Sequence, residues 1–350
     1  MSDGSITVKS AYVQAPFRFS FRQVQLPPPG AGQVLLDVLA TGICGFDMEI
    51  AGELAKEPRP IGHEICGRVR AAGAGVTHVK VGDQVALESG SFCGLCDDCR
   101  NGRVDLCRAC QENFWSQPAM GFSAAMISPA RCCVPAAGLD PVVACLAEPC
   151  GVAVDMVRVA EIGLSERVLV VGVGPIGLMA LAIARRRTGS TIVAANPSQG
   201  KLATARRIGA DAVYSTKELS LQDMAKKHGG FHKVLVTAPP QTLPAALEAA
   251  AYGGYVVFVG FDWGEGGKIA LDTTAMHLGK KQLRSSFASP AVYLPEALEL
   301  LRTGAVPAGE IVSHRMPLGR IEEAFTLLRT DREGTRKIVI VPGEDVIGSQ

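Results

Sequence analysis

A glycine-rich turn constrains the fold of this chain more than any other feature. Gly172, Gly174 and Gly177 have the G-x-G-x-x-G spacing, between an apolar strand at 167–171 and an apolar helix that begins near Ile176. The first glycine permits a tight turn, the second lets a pyrophosphate approach the backbone, and the third lets helix and strand pack closely. The helix N-terminus offers free N–H groups and partial positive charge to phosphates. The turn therefore predicts a dinucleotide-binding parallel sheet, with cofactor contacts from Gly172, Gly174, Pro175, Ile176 and Gly177.

The pattern of strands and helices changes after Pro149. Beyond it, predicted strands at 167–171, 191–195, 233–236 and 255–259 alternate with predicted helices at 152–162, 176–187, 200–208 and 243–251. Such alternation indicates right-handed βαβ units around a parallel sheet. Before it, short strand-like runs such as 33–38 and 81–85, punctuated by Gly and Pro, predict an irregular β-rich domain. A closing helix at 321–328 and strand at 337–341 are too short for a domain and are expected to return to one of the other two.

Composition points to a small ligand. The chain has 35 basic and 34 acidic residues, a formal net charge of +1, so no overall field favours nucleic acid or an anionic membrane. Residues 1–14 lack the continuous apolar core of a signal peptide, and no segment approaches the roughly 18 apolar residues of a membrane span. We therefore expect a cytoplasmic protein with neither nucleic-acid nor membrane partners. The eleven cysteines, an odd number, favour metal ligands and free thiols over a disulfide framework.

Four cysteines lie in one short segment and give the most specific metal signal. Three of them follow the pattern Cys-x-x-Cys-x-x-Cys, and seven residues separate the last of these from the fourth; they are Cys93, Cys96, Cys99 and Cys107. Tetrahedral zinc is bound by four thiolates at about 2.3 Å with no open position, so this site is predicted to be structural. Cys110 is a substitute ligand outside the regular spacing.

A second candidate metal site is dispersed along the chain. Cys44, His63, Glu64 and Glu148 offer a thiolate, an imidazole and carboxylates, a mixed set that binds zinc and leaves room for an exchangeable ligand. Each of these residues alone is more typical of a packed core, and their separation in sequence does not show that they converge.

The nucleotide specificity remains open between NAD and NADP. About twenty residues beyond the glycine turn, an Asp or Glu would bind the adenosine ribose and repel a 2′-phosphate. This chain has Asn196, which brings no charge, and Ser198 and Lys201 follow close enough to help bind a phosphate.

Together these motifs resemble the zinc-containing branch of the medium-chain dehydrogenase/reductase family. The run Gly62-His63-Glu64-x-x-Gly67, continued by Gly73 and Val76, is similar to that branch's zinc signature, and the four cysteines, the segment 81–85, Glu148-Pro149 and the glycine turn occur in the family's order. The resemblance implies an α/β fold: a GroES-like β-rich catalytic domain at 1–152, with a structural zinc lobe at about 90–110, and a Rossmann doubly wound parallel sheet at 153–290. Residues 291–350 would return to the catalytic domain.

The resemblance also implies residue roles. Cys44 and His63 match catalytic zinc ligands, Glu64 matches a carboxylate that binds the metal or its water, and Asp47 matches an acid that orients His63. Glu148 stands where relatives have Cys or Glu, and the Glu form is similar to sorbitol, threonine and glucose dehydrogenases. Two zinc ions per chain, one catalytic and one structural, and a homodimer or homotetramer are expected.

Two positions depart from the family's pattern. Phe46 replaces the Ser or Thr that begins a proton relay, and Glu49 replaces a frequent His. The leading hypothesis is a zinc-dependent oxidoreductase that transfers a hydride between a secondary alcohol (a polyol, sugar or cyclitol) and NAD(P). The alternative, favoured by Phe46, is an NAD(P)-binding relative with impaired turnover that acts as a sensor or partner subunit. A zinc-free quinone reductase is disfavoured by the two metal sites.

Overall fold

The computed structural model describes residues 4–110 and 114–343. Its strands are β1 (Ile6–Gln14), β2 (Arg18–Leu26), β3 (Gln33–Gly42), β4 (Arg59–Pro60), β5 (Glu64–Ala72), β6 (Gln84–Leu87), β7 (Ala125–Pro129), β8 (Cys133–Pro135), β9 (Val168–Val171), β10 (Ile192–Asn196), β11 (Ala212–Ser215), β12 (Phe231–Val236), β13 (Ala250–Phe258), β14 (Gln282–Ser285), β15 (Val312–Pro317) and β16 (Lys337–Val341). Its α-helices are α1 (Gly45–Glu49), α2 (Asp97–Arg100), α3 (Pro141–Ala144), α4 (Ala147–Ala160), α5 (Pro175–Ala184), α6 (Gln199–Ile208), α7 (Leu221–His228), α8 (Leu243–Ala249), α9 (Thr273–Leu278), α10 (Leu294–Arg302), α11 (Ala308–Ile311) and α12 (Ile321–Thr330).

A six-stranded parallel sheet carries the glycine turn. Its order is β11-β10-β9-β12-β13-β14, and every neighbouring pair is parallel. The chain order reverses between β9 and β12, which is where doubly wound sheets bind nucleotides at the carboxyl ends of their strands. The predicted Rossmann fold is confirmed. The sequence indicated the four central strands but not the outer β11 and β14, whose short runs are only partly buried.

The N-terminal half forms antiparallel sheets to which the end of the chain returns. β1 pairs with β2 and β4, while β3 pairs with both β5 and β7. β16 pairs antiparallel with β3, and β15 lies parallel beside β16. The C-terminal strands therefore belong to the same sheet as the segment that precedes Cys44.

Several predicted element boundaries were wrong, and two of them have a clear physical reason. The helix expected at 152–162 begins five residues earlier, because Pro149 lies in the first turn, where its missing N–H costs no hydrogen bond. The strand expected at 81–85 is instead β6, since Gly82 has a φ of +93° and forms a turn before the strand.

Helix α4 connects the two halves through the largest apolar core. This core joins Cys66 and Ala86 of the N-terminal sheet to Leu178 of α5 and Leu294 of α10, with α4 contributing residues such as Val154. Because α4 is anchored on both sides, its first turn is held rigidly beside the N-terminal sheet. Among the described residues, no helix has both the length and the apolar character needed to cross a bilayer.

Candidate active site and metal centres

The four cysteines of the 93–107 segment converge. The sulfur atoms of Cys93, Cys96, Cys99 and Cys107 all lie within 4.8 Å of one another. The N–H groups of Leu95 and Cys96 both lie 3.4 Å from the Cys93 sulfur and donate to it. These two N–H groups lower the pKa of Cys93 to about 6. A thiol that ionises readily, inside a group of four soft donors, fits the chemistry of a structural zinc site.

Cys110 lies outside this group. Its side chain is buried, and its sulfur is 3.5 Å from the hydroxyl of Ser289. The geometry therefore favours Cys107 over Cys110 as the fourth donor.

Three of the four dispersed residues also meet. One ligand atom each of Cys44, His63 and Glu64 lies within 4.8 Å of the other two. Cys44 is the N-cap of α1, directly after β3, and Glu64 is the first residue of β5, which pairs with β3. Pairing of these two strands brings together residues that are about twenty positions apart in sequence. A thiol, an imidazole and a carboxylate in one buried place fit a zinc ion that keeps an open position.

Asp47 connects the first two members of this group. One of its oxygens accepts the backbone N–H of Cys44 at 2.9 Å, and the other lies 3.4 Å from Nδ1 of His63. Burial lowers the pKa of His63, but Asp47 and Cys44 raise it well above its ordinary value. The carboxylate lies on the Nδ1 side of the ring and its charge favours a proton there, while the 3.4 Å contact itself is not a hydrogen bond.

Glu64 is engaged by a buried lysine. Nζ of Lys337 in β16 lies 2.7 and 2.8 Å from the two carboxylate oxygens and also donates to the carbonyl of Ile43. The lysine and glutamate side chains are only 4% and 1% exposed. A side chain on Gly42 would overlap the Glu64 carboxylate, so this glycine is what allows the close passage.

Glu148 lies nearby but is not a member of the converging group. It is in the first turn of α4, and its carboxylate accepts a hydrogen bond of 2.7 Å from Ser89. Burial raises the pKa of Glu148, His63 opposes this shift, and Glu64 adds to it. Glu148 is therefore close enough to interact electrostatically with His63 and Glu64, while its carboxylate is hydrogen-bonded to Ser89.

Aromatic rings from two parts of the chain line the same site. The Phe46 ring is 6.4 Å from the His63 ring, 6.1 Å from Trp115 and 5.9 Å from Phe261. Phe261 follows β13 of the Rossmann sheet, and the Trp263 ring packs edge to face against it at 5.5 Å. We call Phe46, Trp115 and Phe261 the aromatic wall. It provides an apolar surface beside the candidate metal ligands.

Glu49 lies at the end of α1, near the aromatic wall. One carboxylate oxygen is buried and has no hydrogen-bond partner among the described residues. Burial raises the pKa of Glu49, and Asp262 and Glu53 raise it further. Its location near Asp262, beside Phe261, places it at the boundary between the two halves of the molecule.

The glycine turn has the geometry that its sequence suggested. Gly172 has a φ of +86°, which favours glycine, and a side chain on Gly177 would overlap the carbonyl oxygen of Gly172. Gly174 has open space beside it, and Pro175 and Ile176 begin α5. The turn therefore leaves backbone accessible at the position where a pyrophosphate would approach.

Asn196, Ser198 and Lys201 lie next to this turn with unexpected partners. The Asn196 side-chain oxygen accepts the N–H of Val173 at 3.2 Å. Ser198 caps α6 by accepting the N–H of Lys201 at 3.2 Å, and its hydroxyl donates to Glu333. Burial lowers the pKa of Lys201, with Arg332 also lowering it and Glu333 opposing.

Several residues of the two sites were not predicted. Lys337, Trp115, Phe261 and Glu333 come from distant segments, and the sequence around them carries no motif that we recognised. A run of consecutive apolar residues that begins with a lysine, as β16 does, is the one local signal that could have suggested a buried charge.

Comparison with known proteins agrees with the fold. The family model described as alcohol dehydrogenase GroES-like domain matches residues 30–138, and that described as zinc-binding dehydrogenase matches residues 175–303. An L-threonine 3-dehydrogenase from Saccharopolyspora erythraea is 30% identical over 318 residues, which cover 88% of this chain and 92% of that protein. A sorbitol dehydrogenase from Arabidopsis thaliana is 31% identical over 338 residues, 90% of each chain. The structure of a zinc-binding dehydrogenase target from Sinorhizobium meliloti 1021, bound to NADP, has a TM-score of 0.83 at 25% identity and covers 96% of this chain and 100% of that one.

The fold and these matches define the class as zinc-binding nicotinamide oxidoreductases with a GroES-like domain and a Rossmann domain. The chain belongs to the zinc-containing medium-chain dehydrogenase/reductase family. It is an NAD(P)-dependent alcohol or polyol dehydrogenase that acts on a small molecule.

Proposed function

We propose that this protein oxidises a secondary hydroxyl of a polyol, sugar or cyclitol to a ketone, with NAD or NADP as hydride acceptor. The observation that carries this proposal is the convergence of Cys44, His63 and Glu64 beside the aromatic wall. The metal ion held by these residues would bind the substrate hydroxyl. The rings of the aromatic wall offer an apolar surface that suits the C–H groups of a carbohydrate. The names of the threonine and sorbitol dehydrogenase relatives support a substrate with neighbouring polar groups.

Two zinc ions per chain are part of the proposal. Cys44, His63 and Glu64, which converge, would hold the catalytic ion together with the nearby Glu148, and the four cysteines of the 93–107 segment would hold the structural one. When bound at the first site, zinc supplies Lewis acidity that makes the substrate hydroxyl easier to deprotonate. The donor chemistry of both groups fits this metal.

The protein's own side chains hold this arrangement in place. Asp47 orients His63 and the start of α1, Lys337 neutralises and positions Glu64, and Ser89 orients Glu148. The aromatic wall excludes water from the reacting carbon. Each contact reduces the freedom of a group that must be aligned with the substrate.

The departing proton needs a route that does not use residue 46. A phenyl ring neither accepts nor passes a proton, so Phe46 cannot begin a relay. Glu49 is the carboxyl group we propose for this route, since burial raises its pKa and one of its buried oxygens has no hydrogen-bond partner among the described residues. Such a shift makes a carboxylate a better base near neutral pH.

A metal and turnover measurement tests the proposal. We expect two zinc ions per chain by elemental analysis, and NADH or NADPH formation with at least one member of a panel of polyols, sugars, cyclitols and threonine. Cys44→Ser should keep the fold and cofactor binding but lose turnover. Cofactor binding without turnover on any alcohol would instead support a sensor or partner subunit.

The domain boundaries, the oligomeric state and the location of the protein are also proposed. We propose a catalytic domain at 1–152 with its lobe at about 90–110, a Rossmann domain at 153–290, and a returning segment at 291–350; residues 1–3, 111–113 and 344–350 of these divisions lie outside the described residues. We also propose a homodimer or homotetramer. A cytoplasmic location is proposed because thiolate metal sites need a reducing compartment, and all eleven cysteines are free thiols.

A further inference from the structure

A loop of the returning segment contacts the nucleotide side of the molecule. Glu333 lies between α12 and β16, and its Oε2 accepts hydrogen bonds from the hydroxyl of Ser198 at 2.9 Å and from the N–H of Gly200 at 3.0 Å. A side chain on Gly200 would overlap the carbonyl oxygen of Glu333, so the glycine permits this approach. Ser198 is only 5% exposed. The Glu333 carboxylate therefore accepts hydrogen bonds from two donors at the start of α6.

These two donors lie where the adenosine ribose of a dinucleotide is recognised. In a sheet of this order, the ribose is bound at the end of the second strand and the start of the helix that follows, here β10 and α6. Asn196, at the end of β10, directs its side-chain oxygen to the N–H of Val173. The carboxylate at this place is thus supplied by a distant loop and not by the strand end.

We propose that Glu333 makes this enzyme select NAD over NADP, an inference that rests on the proposed nucleotide-dependent function. A 2′-phosphate would need the Ser198 hydroxyl and the Gly200 N–H, which Glu333 already occupies. It would also be repelled by the carboxylate, whereas an unmodified ribose hydroxyl can donate a hydrogen bond to it.

The surrounding charges sharpen this inference. The N–H of Gly200, followed by the Ser198 hydroxyl, lowers the pKa of Glu333, so the group is ionised at neutral pH. Lys217 also acts on Glu333, and Arg332 and Arg336 act on Lys201 in the same neighbourhood. Without the carboxylate, these cations would attract a phosphate. Glu333 and Asp331 both oppose these cations, and Glu333 is the acid that contacts the two donors at the start of α6.

The test compares the binding of two dinucleotides. Dissociation constants of NAD+, NADP+ and adenosine 2′-monophosphate are measured by calorimetry for the wild-type protein and for Glu333→Gln, which keeps an acceptor oxygen but removes the charge. We expect the wild type to bind NAD+ more tightly, and Glu333→Gln to shift the ratio towards NADP+ by on the order of tenfold. Adenosine 2′-monophosphate should also bind the variant more tightly. Glu322→Gln, an exposed acid on α12, is the matched control and should change neither ratio.

The outcomes separate the two proposals. If neither dinucleotide binds, the proposed function fails. If both bind but Glu333→Gln leaves their ratio unchanged, Glu333 is only a structural cap of α6 and this inference is overturned. Tighter binding of NADP+ than NAD+ by the wild type overturns it without any variant. Gly200→Ala provides an independent check, because it displaces the loop and should shift the ratio in the same direction.

Discussion

At the scale of single residues, Glu88 shows how burial alters acid chemistry next to the site. It follows β6, is 6% exposed, and has one carboxylate oxygen without a hydrogen-bond partner among the described residues. Burial raises its pKa to about 7, although the Ser91 hydroxyl opposes the shift. The folded protein therefore binds a proton here that an unfolded chain, whose glutamates ionise near 4.5, releases at lower pH.

The raised pKa of Glu88 makes the free energy of unfolding depend on pH. Between about pH 4.5 and 7 the folded state binds more protons at Glu88, so the free energy of unfolding falls as pH rises through this window. Glu88→Gln should remove this loss, with a gain over wild type of about 3 kcal/mol at pH 8 and almost none at pH 4.5. Urea unfolding at pH 4.5, 6 and 8 measures the difference. An equal difference at all three pH values would contradict it.

Phe46 is predicted to control which substrates bind. Its ring contacts Trp115 and Phe261, and loss of two aromatic contacts should raise KM for the preferred polyol about tenfold while kcat changes little. Steady-state kinetics of Phe46→Ser over the alcohol panel measures this, with Phe21→Ser in β2 as a control remote in the fold. If Phe46→Ser raised turnover by orders of magnitude on every alcohol, the natural protein would be better described as a disabled dehydrogenase.

At the scale of elements, β16 brings a charge to the metal-ligand group. Replacing Lys337 with Met leaves the Glu64 carboxylate buried without its partner, which should lower the free energy of unfolding by about 3–5 kcal/mol. The double variant Lys337→Met with Glu64→Gln should recover much of this loss, as measured in a denaturant double-mutant cycle. Additive single-variant effects would show that the two groups do not interact.

The same ion pair makes stability depend on pH only in alkaline solution. Burial lowers the pKa of Lys337, but Glu64 and Cys44 raise it above 10.5. The pair therefore stabilises the fold at neutral pH, and this stabilisation is lost only as pH rises beyond that value.

The 93–107 segment is predicted to depend on its metal. Cys99→Ser should reduce the zinc content from two ions to one and lower the thermal midpoint, because coordination energy at a closed site is folding energy. Cys110→Ser, whose thiol contacts Ser289 instead, should keep both ions. Elemental analysis and thermal unfolding of the two variants decide this. Equal zinc loss from both would mean that the fourth donor is wrongly assigned.

At the scale of the whole molecule, the Rossmann sheet ends in an exposed edge. β14 is its outermost strand, and Leu278 and Phe287 on either side of it are 70% and 72% exposed. We predict that a second copy of the chain covers this edge, since pairing would satisfy its free backbone groups and bury apolar surface. Light scattering should give a dimer or tetramer mass, and Leu278→Glu with Phe287→Glu should shift it towards the monomer. Phe21→Glu is the control, and an unchanged mass in the double variant would place the interface elsewhere.

Much of the fold was predictable because its signals are local. Three features depend on backbone conformation and on neighbours close in sequence. They are the glycine turn, the apolar strands β10, β9 and β12 at the centre of the parallel sheet, and the spacing of Cys93, Cys96, Cys99 and Cys107. The boundary of α4 was misjudged because a proline inside the first turn of a helix looks the same in sequence as one that precedes it.

The sequence by itself determined the parallel nucleotide-binding sheet, the four-cysteine ligand set and the position of the nucleotide turn, because those depend on residue type and spacing; the roles of the dispersed ligand set followed only from the resemblance to the family. Only the tertiary structure decided that Lys337 pairs with Glu64, that Ser89 donates to Glu148, and that Phe261 packs edge to face against Phe46. It also decided that Glu333 reaches the helix after Asn196. These contacts join segments that are 59 to 273 positions apart for the hydrogen-bonded pairs. Strand pairing and helix packing select such neighbours by burying surface, a property of the whole chain that no local pattern encodes.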